Sequence, residues 1–293
     1  MTPFARAAAL AILLSANARA TEREELISLS LTNRAGLATA PFVTPPFPEV
    51  SGFGMVLTGA AAARFSPLGW LQLKLPVTFA WLDFPAGAQV PETALGNLEL
   101  GLEHPLELRP STRIGLLAAF IVPSAEHGTE TALLNNRALA LGSALSGGKD
   151  SPLLTPGVTG LRLGASVEHS QHPFEFRASL DVPLLARVSD ASLPEETETH
   201  PIGILPAIDL EATWWLTPWF GTSLGGGLFA ELLRVQDPAL EGDRNSRLQP
   251  VLEPGLHLWL GHHVELGLEA SIPVGGTLGG DAWSIGVQGR LGL

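Results

Sequence analysis

The stretch NLELGLEHPLELR, residues 97–109, alternates apolar and polar side chains almost without interruption. Side chains repeat every 3.6 residues in a helix and every two in a strand, so this alternation predicts a strand with one apolar and one polar face. The two faces carry Leu98, Leu100, Leu102, Leu106 and Leu108 against Asn97, Glu99, Glu103, Glu107 and Arg109.

The same period recurs at 71–79, 161–168, 174–182 and 264–272. Each run is about ten residues long, which matches the ~9–11 residues of a tilted transmembrane strand. Strands of soluble proteins average only ~5–6 residues. The pattern therefore favours a membrane barrel over a soluble β-sandwich, whose apolar strand faces need a second sheet to cover them.

Short and long connections alternate between the predicted strands. The short ones lie at 64–69, 109–112, 170–172, 217–218 and 261–262, and the long ones at 83–94, 124–157, 189–201, 236–247 and 275–280. A first strand at 26–33, followed by a Pro-rich connection at 35–52, brings the number to twelve and both ends to the short-turn side. This predicts an all-β, antiparallel, up-and-down transmembrane barrel with short periplasmic turns and long external loops.

The two ends of the chain indicate export to the outer membrane of a Gram-negative-type bacterium. Residues 1–20 combine a positive start, an apolar run and the Ala18-Arg19-Ala20 cleavage pattern, so we predict a signal peptide there and a single barrel domain at 21–293. Residues 283–293 alternate to the last residue, as in the insertion signal of outer-membrane proteins, although Leu293 stands where Phe is usual. The expected partners are membrane lipid and the outer-membrane assembly machinery.

Composition excludes several function classes. Seventeen basic and 29 acidic residues give a formal charge of -12, which disfavours nucleic acid as a partner because phosphate contacts need a basic surface. The chain has no cysteine, so it has no disulfide, thiolate nucleophile or Cys-bound metal.

The polar strand faces predict the lining of the lumen, and that lining is mostly acidic. We predict lumen-facing positions for Glu99, Glu103, Glu107, Glu168, Glu175, Asp181, Asp209, Glu211, Glu231, Glu253, Glu265 and Glu269, against Lys74, Arg113, Arg162, Arg177 and Arg290. Such a lumen attracts cations. A barrel of this strand count lies between filled and open examples, so the sequence leaves open whether water passes through or the charges pair in a filled interior.

Two predicted strands, 114–122 and 220–233, are apolar on both faces. Their inward residues, by parity, are Leu117, Ala119, Ile121, Phe229 and Leu233. This apolar strip either guides an apolar solute or packs against the long connection 124–157, whose centre at 131–145 has helical spacing of its apolar residues. We favour the second interpretation, in which the connection folds inward as a plug.

The seven tryptophans lie near the ends of predicted strands, which indicates two interfacial girdles or, alternatively, burial in a core. Those near short turns are Trp70, Trp214, Trp215, Trp219 and Trp259, and those near long loops are Trp81 and Trp283.

The sequence motifs give only weak evidence for catalysis or metal binding. Gly221-Thr222-Ser223-Leu224-Gly225 matches the Gly-x-Ser-x-Gly nucleophile pattern, but strand periodicity continues on both sides where a helix should follow. The pairs His169/His172 and His262/His263 lie near short turns and lack a third metal ligand. We therefore predict no catalytic residue, no enzymatic activity, no metal and no cofactor.

The segment from Gly96 to Leu102, with the strand at 114–123 that follows it, resembles the Gly-Asp-Leu-x-Leu-Gly hairpin of the phenol meta-pathway transporter family of outer-membrane barrels. The hairpin at 254–273 is similar in style. Asn97 replaces the usual Asp. The resemblance implies passage of small aromatic or other apolar compounds and implies no catalytic residue.

Three functions follow as hypotheses. The first is an outer-membrane channel or transporter-like barrel for small solutes. The second is a sealed barrel that acts as a structural or adhesion surface without transport. The third, an outer-membrane lipid hydrolase, depends on Ser223 and is the weakest.

Overall fold

The computed structural model describes residues 26–40, 50–66, 69–83, 89–125, 132–188, 202–230, 232, 248–260, 263–276 and 282–293. Its strands are β1 (Ile27–Ala40), β2 (Val50–Ser66), β3 (Gly69–Asp83), β4 (Gln89–Leu95), β5 (Leu98–Arg109), β6 (Thr112–Val122), β7 (Val158–Gln171), β8 (Phe174–Arg187), β9 (Ile202–Ile204), β10 (Ala207–Trp215), β11 (Phe220–Ala230), β12 (Leu248–Leu260), β13 (Val264–Pro273) and β14 (Ala282–Gly292). One helix, α1 (Ala132–Leu145), precedes β7. The predicted signal peptide lies outside the described residues.

The strands form one closed antiparallel barrel, as the alternation predicts. β1 pairs with β2 on one side and with β14 on the other, which closes the sheet. β4 and β5 lie end to end beside β3, and β9 and β10 lie end to end beside β8, so the fourteen segments make twelve barrel strands. The chain's described ends meet at the end that carries the short turns, where Leu26 N–H donates to the carbonyl of Leu293 over 2.8 Å.

Several predicted boundaries were wrong. The first strand continues to Ala40 because it pairs with β2 along its whole length, and the connection after it is shorter than 35–52. The predicted loop at 83–94 contains β4, which pairs with β3 and, among the described strands, with β3 alone. A strand paired on one side accommodates proline, which explains how Pro91 lies within β4.

The apolar strand faces point outward and the polar faces inward. Leu100, Leu102, Leu161 and Leu163 are exposed on the outer surface, whereas Glu99, on the opposite face of β5, is buried. An apolar exterior on a closed barrel is the arrangement that a lipid bilayer requires, because closure leaves no strand edge unpaired. Within the described segments, no helix has the length and apolar character to cross a membrane.

The two-girdle prediction was only partly right. Trp81, Trp214, Trp219 and Trp283 are exposed on the outside. Trp215, by contrast, is buried and packs near Trp259, with ring centroids 6.4 Å apart. Adjacent residues of a strand point to opposite faces, so Trp214 and Trp215 cannot both face lipid.

The helix that the spacing at 131–145 predicts lies inside the barrel. α1 contacts β1, β2, β3, β4 and β14 and forms the main apolar core with small wall residues. The buried members of this core are Ala38, Val56, Ala80, Leu82, Ala94, Ala125, Ala138, Leu139, Leu141, Ala144, Leu145, Leu154 and Ala282. All of the wall residues come from the barrel half next to the long loops.

Close approach of the helix to the wall depends on two glycines. A Cβ added at Gly54 of β2 would lie 2.9 Å from Leu141 Cδ2, and one at Gly142 of α1 would lie 2.5 Å from Thr78 Oγ1. Real carbon atoms do not approach so closely, so a side chain at either position would push the helix away from the wall.

Truncation of the fully buried Leu141 to alanine is expected to lower the free energy of unfolding by about 2–5 kcal/mol, because it leaves a cavity between α1 and β2. Denaturant unfolding in detergent micelles would measure this. The matched control is Leu161→Ala on the outer face, where detergent or lipid chains fill the space. An equal loss in both variants would contradict the packing of α1 against β2.

Candidate functional site

Residues 132–157, here called the inserted segment, cross the barrel interior. After α1 the chain turns at Gly147 and Gly148, which have φ values of 64° and 91° and therefore suit glycine. Ser284 of β14 donates to the carbonyl of Leu145 over 2.6 Å, which ties the end of the helix to the wall.

The segment reaches opposite sides of the wall through ion pairs. Lys149 Nζ lies 2.9 Å from Asp209 of β10 and also pairs with Glu253 of β12. Asp150 lies 2.5 Å from Lys74 Nζ of β3. β3 is the third barrel strand, while β10 and β12 are the eighth and tenth, so two adjacent residues of the segment bridge the full width of the lumen.

Both bridging residues stay charged at neutral pH. Burial disfavours the charged form of Lys149 and by itself would lower its pKa. The attraction of the Glu253 and Asp209 carboxylates is larger, so the pKa of Lys149 is raised above 10.5. Burial likewise disfavours the Asp150 carboxylate, but Lys74, with Arg34 and Arg162 farther off, holds its pKa below 3.8. These two residues therefore keep the segment attached to both sides.

The lowered pKa of Asp150 predicts the pH range over which the folded protein loses stability. A lowered pKa in the folded state stabilises that state above pH 3.8, and this contribution is lost as the pH falls through the lowered value. At pH 7 we expect Asp150→Asn to lower the free energy of unfolding by about 1.5–3 kcal/mol, the range for a charged hydrogen bond. Unfolding of both proteins between pH 7 and 2 is the measurement. A difference that does not shrink below pH 3.8 would contradict the assignment.

Asn97 fixes the far end of the inserted segment. Its side chain, fully buried between β4 and β5, donates to the carbonyl of Thr155 over 2.6 Å and accepts from Ala125 N–H over 3.1 Å. Its own backbone N–H donates to the carbonyl of Leu153 over 2.6 Å. Asn97 thus binds the chain before the inserted segment, at Ala125, and the end of that segment, at Leu153 and Thr155.

The inward strip of β6 packs against this segment. Ile121 belongs to a second buried cluster with Leu153, Val158 and Leu185, and Ala119 is also buried. Leu117, closer to the short turns, faces a cavity. Leu233 lies outside the described residues. The contacts of Ile121 and Ala119 therefore fit packing better than an open apolar path.

A cavity of about 340 Å³ lies between the inserted segment and the short-turn end. Eight of the seventeen predicted lumen residues line it: Glu103, Arg162, Arg177, Asp181, Asp209, Glu211, Glu253 and Glu269. With Lys149, its lining carries six carboxylates against three basic side chains.

The other predicted lumen residues that the structure describes lie around this cavity or near the short turns. Lys74 pairs with Asp150, and Arg113 is exposed beside the turn at 109–112. Glu99 is buried and pairs with Arg162 at 3.3 Å, and Glu175 accepts from the indole N–H of Trp215 at 3.2 Å. Glu265 faces His257. Glu107 and Arg290 are exposed, and Glu168 pairs with Arg177 at 3.4 Å. Glu231 lies outside the described residues. That these side chains line a path for solutes stays a prediction.

Many of the acids are paired. Arg34 of β1 lies 2.9 Å from Glu269 and 3.8 Å from Glu253, and Arg162 lies 3.1 Å from Asp181. Arg34 was not predicted as a lumen residue, although it continues the even-numbered inward face of Ser28, Ser30 and Thr32. The alternation of inward and outward residues in this strand was the signal that could have identified Arg34.

One cluster near the short turns was also missed. His257 of β12 lies 2.9 Å from Ser223 Oγ, 3.3 Å from Glu211 and 3.6 Å from Glu265, and its ring is 6.2 Å from that of Trp215. Within the described segments, no group of three or more His, Asp or Glu side chains is arranged to hold a metal ion. His169 contacts Thr112 over 2.9 Å at the short-turn end of β7.

No protein-family model and no curated protein matches the chain. Among solved structures, an outer-membrane channel from Pseudomonas putida is similar with a TM-score of 0.61 at 10% identity, over 92% of this chain and 96% of that one. The beta domain of a Bordetella autotransporter has a TM-score of 0.50 at 10% identity, over 92% and 100%.

These likenesses confirm the fold. Their members differ in function, so they do not decide what this barrel does. The barrel fold and its apolar exterior place the chain in a Gram-negative outer membrane, as the sequence predicts. The narrower resemblance to phenol meta-pathway transporters stays a prediction.

Proposed function

We propose that the protein is an outer-membrane channel for small solutes, closed by its inserted segment. The observation that carries this proposal is the position of Lys149 and Asp150, which bridge opposite walls directly beside an acid-lined cavity of about 340 Å³. A barrel that served only as a surface has no need for a charged cavity beneath such a bridge.

The contacts of the inserted segment divide it into a fixed and a displaceable part. α1 packs by apolar contacts against one side of the wall, and Asn97 holds residues 153–155. Residues 147–150 reach the opposite wall through ion pairs of Lys149, whose side chain is 26% exposed. Displacing these residues breaks ion pairs in a partly hydrated interior and leaves the apolar core intact, so we place the gate there.

The charge of the lining supports cation selectivity. Six carboxylates against three basic side chains give the cavity a net negative charge, which concentrates cations and repels anions. The expected solutes are small cations and small neutral molecules that a cavity of this volume admits.

Conductance in a planar bilayer under a KCl gradient tests the proposal. Folding of the refolded chain is first established by its heat-modifiable shift on a gel. We expect brief openings with a cation-selective reversal potential. An anion-selective reversal potential would contradict the assigned lining. Silence both from the folded protein and from a variant without the inserted segment would favour the sealed structural or adhesion barrel.

Small aromatic compounds form a second candidate class of solute. Trp215 and Trp259 face the interior near the short turns, and Leu117 adds an apolar contact within the cavity. Aromatic rings bind aromatic solutes through stacking and burial of area. Liposome swelling with phenol, compared with a sugar of similar size, would distinguish this class: faster entry of the phenol supports it and equal entry contradicts it.

A further inference from the structure

The Gly-x-Ser-x-Gly motif at 221–225 acquires partners in the folded barrel. Ser223 lies on β11 and faces the interior, where its Oγ is 2.9 Å from Nε2 of His257 on β12. Gly255 is directly opposite Ser223 in the strand register. A Cβ at Gly255 would lie 2.5 Å from Ser223 Oγ, so this glycine keeps the space that the hydroxyl occupies.

The second ring nitrogen of His257 faces an acid. Nδ1 lies 3.6 Å from Oε1 of Glu265 on β13. Hydroxyl, imidazole and carboxylate thus follow one another across three consecutive strands, in the order that nucleophilic catalysis by serine uses. Glu211 of β10 approaches Nε2 from the other side, at 3.3 Å, and competes with Ser223 for it.

We propose that Ser223 is the nucleophile of an esterase site inside the barrel, with His257 as general base and Glu265 as its orienting acid. The imidazole accepts a proton only in its neutral form, so the reaction requires a pH at which the ring between Glu211 and Glu265 has lost its second proton. As Ser223 Oγ then bonds to the carbonyl carbon of an ester, its proton passes to Nε2. The ester C–O bond then breaks, and the leaving alkoxide takes that proton and departs as an alcohol. Water then attacks the acyl-serine by the same steps, which releases a carboxylic acid and returns the proton to Ser223.

The surroundings favour a small carboxylic ester that is uncharged or cationic. The adjoining cavity, which Glu211 lines, holds about 340 Å³ and is rich in carboxylates that repel an anionic substrate. Arg177, the cross-strand neighbour of Glu211, lines the same cavity. Trp215 offers an apolar surface beside His257. Membrane lipid does not fit this site, since Ser223 faces the interior and lipid lies outside.

Covalent labelling with diisopropyl fluorophosphate tests the proposal on the refolded full-length barrel, from neutral to alkaline pH, because His257 accepts the serine proton only as a neutral imidazole. Attack by Ser223 forms an O–P bond and expels fluoride, and the added mass is located by peptide mass spectrometry. We expect labelling at Ser223, none there in Ser223→Ala, and a rate lower on the order of 10²–10⁴-fold in His257→Gln, the range for loss of a general base. Ser30→Ala, which changes a lumen serine of β1, should label normally.

The two flanking acids give a second test, because they are expected to act in opposite directions. Glu265→Gln should slow labelling and hydrolysis of p-nitrophenyl acetate, since Nδ1 loses its acid. Glu211→Gln should leave the rate equal or raise it, since Nε2 loses a competitor. Folded wild-type protein that takes no label at Ser223, or labels as fast in His257→Gln, would overturn the assignment. Equal slowing by both glutamine variants would contradict the assignment and would show that the cluster has only a structural role.

Discussion

Replacement of residues 126–156 by a short Gly/Ser linker is expected to convert a closed barrel into a steadily conducting one. α1 and the residues after it fill the barrel half next to the long loops, and the remaining wall is a ring of twelve strands joined by backbone hydrogen bonds. A ring of that size leaves a water-filled interior once the segment is gone. We expect single-channel current to rise on the order of tenfold, with the cation preference retained.

The variant needs proof of folding, because the inserted segment supplies six of the thirteen buried residues of the main apolar core. A heat-modifiable gel shift and an unchanged strand signal in circular dichroism provide it. Leu161→Ala, on the lipid face, is the matched control for general loosening of the barrel. A folded variant that stays silent in the bilayer would reject the channel and leave the structural barrel.

Lys149→Met should open the barrel without removing any of the apolar core. The substitution leaves Asp209 and Glu253 facing each other without their shared cation, and Glu253 is only 3% exposed. Removing one partner of a buried ion pair costs up to about 3–5 kcal/mol, and Arg34, 3.8 Å from Glu253, compensates part of the remaining charge. We expect that strain to release residues 147–150 and to lengthen the openings seen in the bilayer.

The double variant Lys149→Met/Glu253→Gln separates loss of the bridge from repulsion between the acids. It removes one carboxylate together with the ammonium, so its free energy of unfolding should recover part of the loss. Hydrogen exchange of residues 146–157 reports the local release directly. Unchanged exchange in Lys149→Met would show that the ion pairs do not hold the segment.

The faces of the strands could be predicted because they depend on local periodicity. Residues 97–109 separate leucines from acids by parity alone, and in the structure Glu99 is inward and Leu100 outward. The same rule applied to Trp214 and Trp215 would have placed one ring inside the barrel. Proximity to a turn does not decide between the two faces.

The contacts across the lumen could not be predicted in this way. A short turn fixes the register of β12 and β13, and counting back from Val264 paired with Leu260 puts Glu265 opposite Trp259, one inward-facing position from His257. Ser223 reaches His257 only through the register of β11 and β12, which a long connection joins, and loop length does not fix such a register. Lys149 reaches its partners only because α1 enters the barrel.

The two lysines of the chain, Lys74 and Lys149, both lie inside the barrel, each in an ion pair. Reagents that acylate primary amines therefore find side-chain targets only on the inner surface, apart from the amino terminus. The extent of lysine acylation, measured optically or by mass spectrometry, therefore reports how far the gate has opened. This measurement can be made in whole cells without electrodes. The same distribution leaves the outer surface without lysine side chains for cross-linking or surface attachment, so such uses must rely on carboxylates or on an engineered thiol.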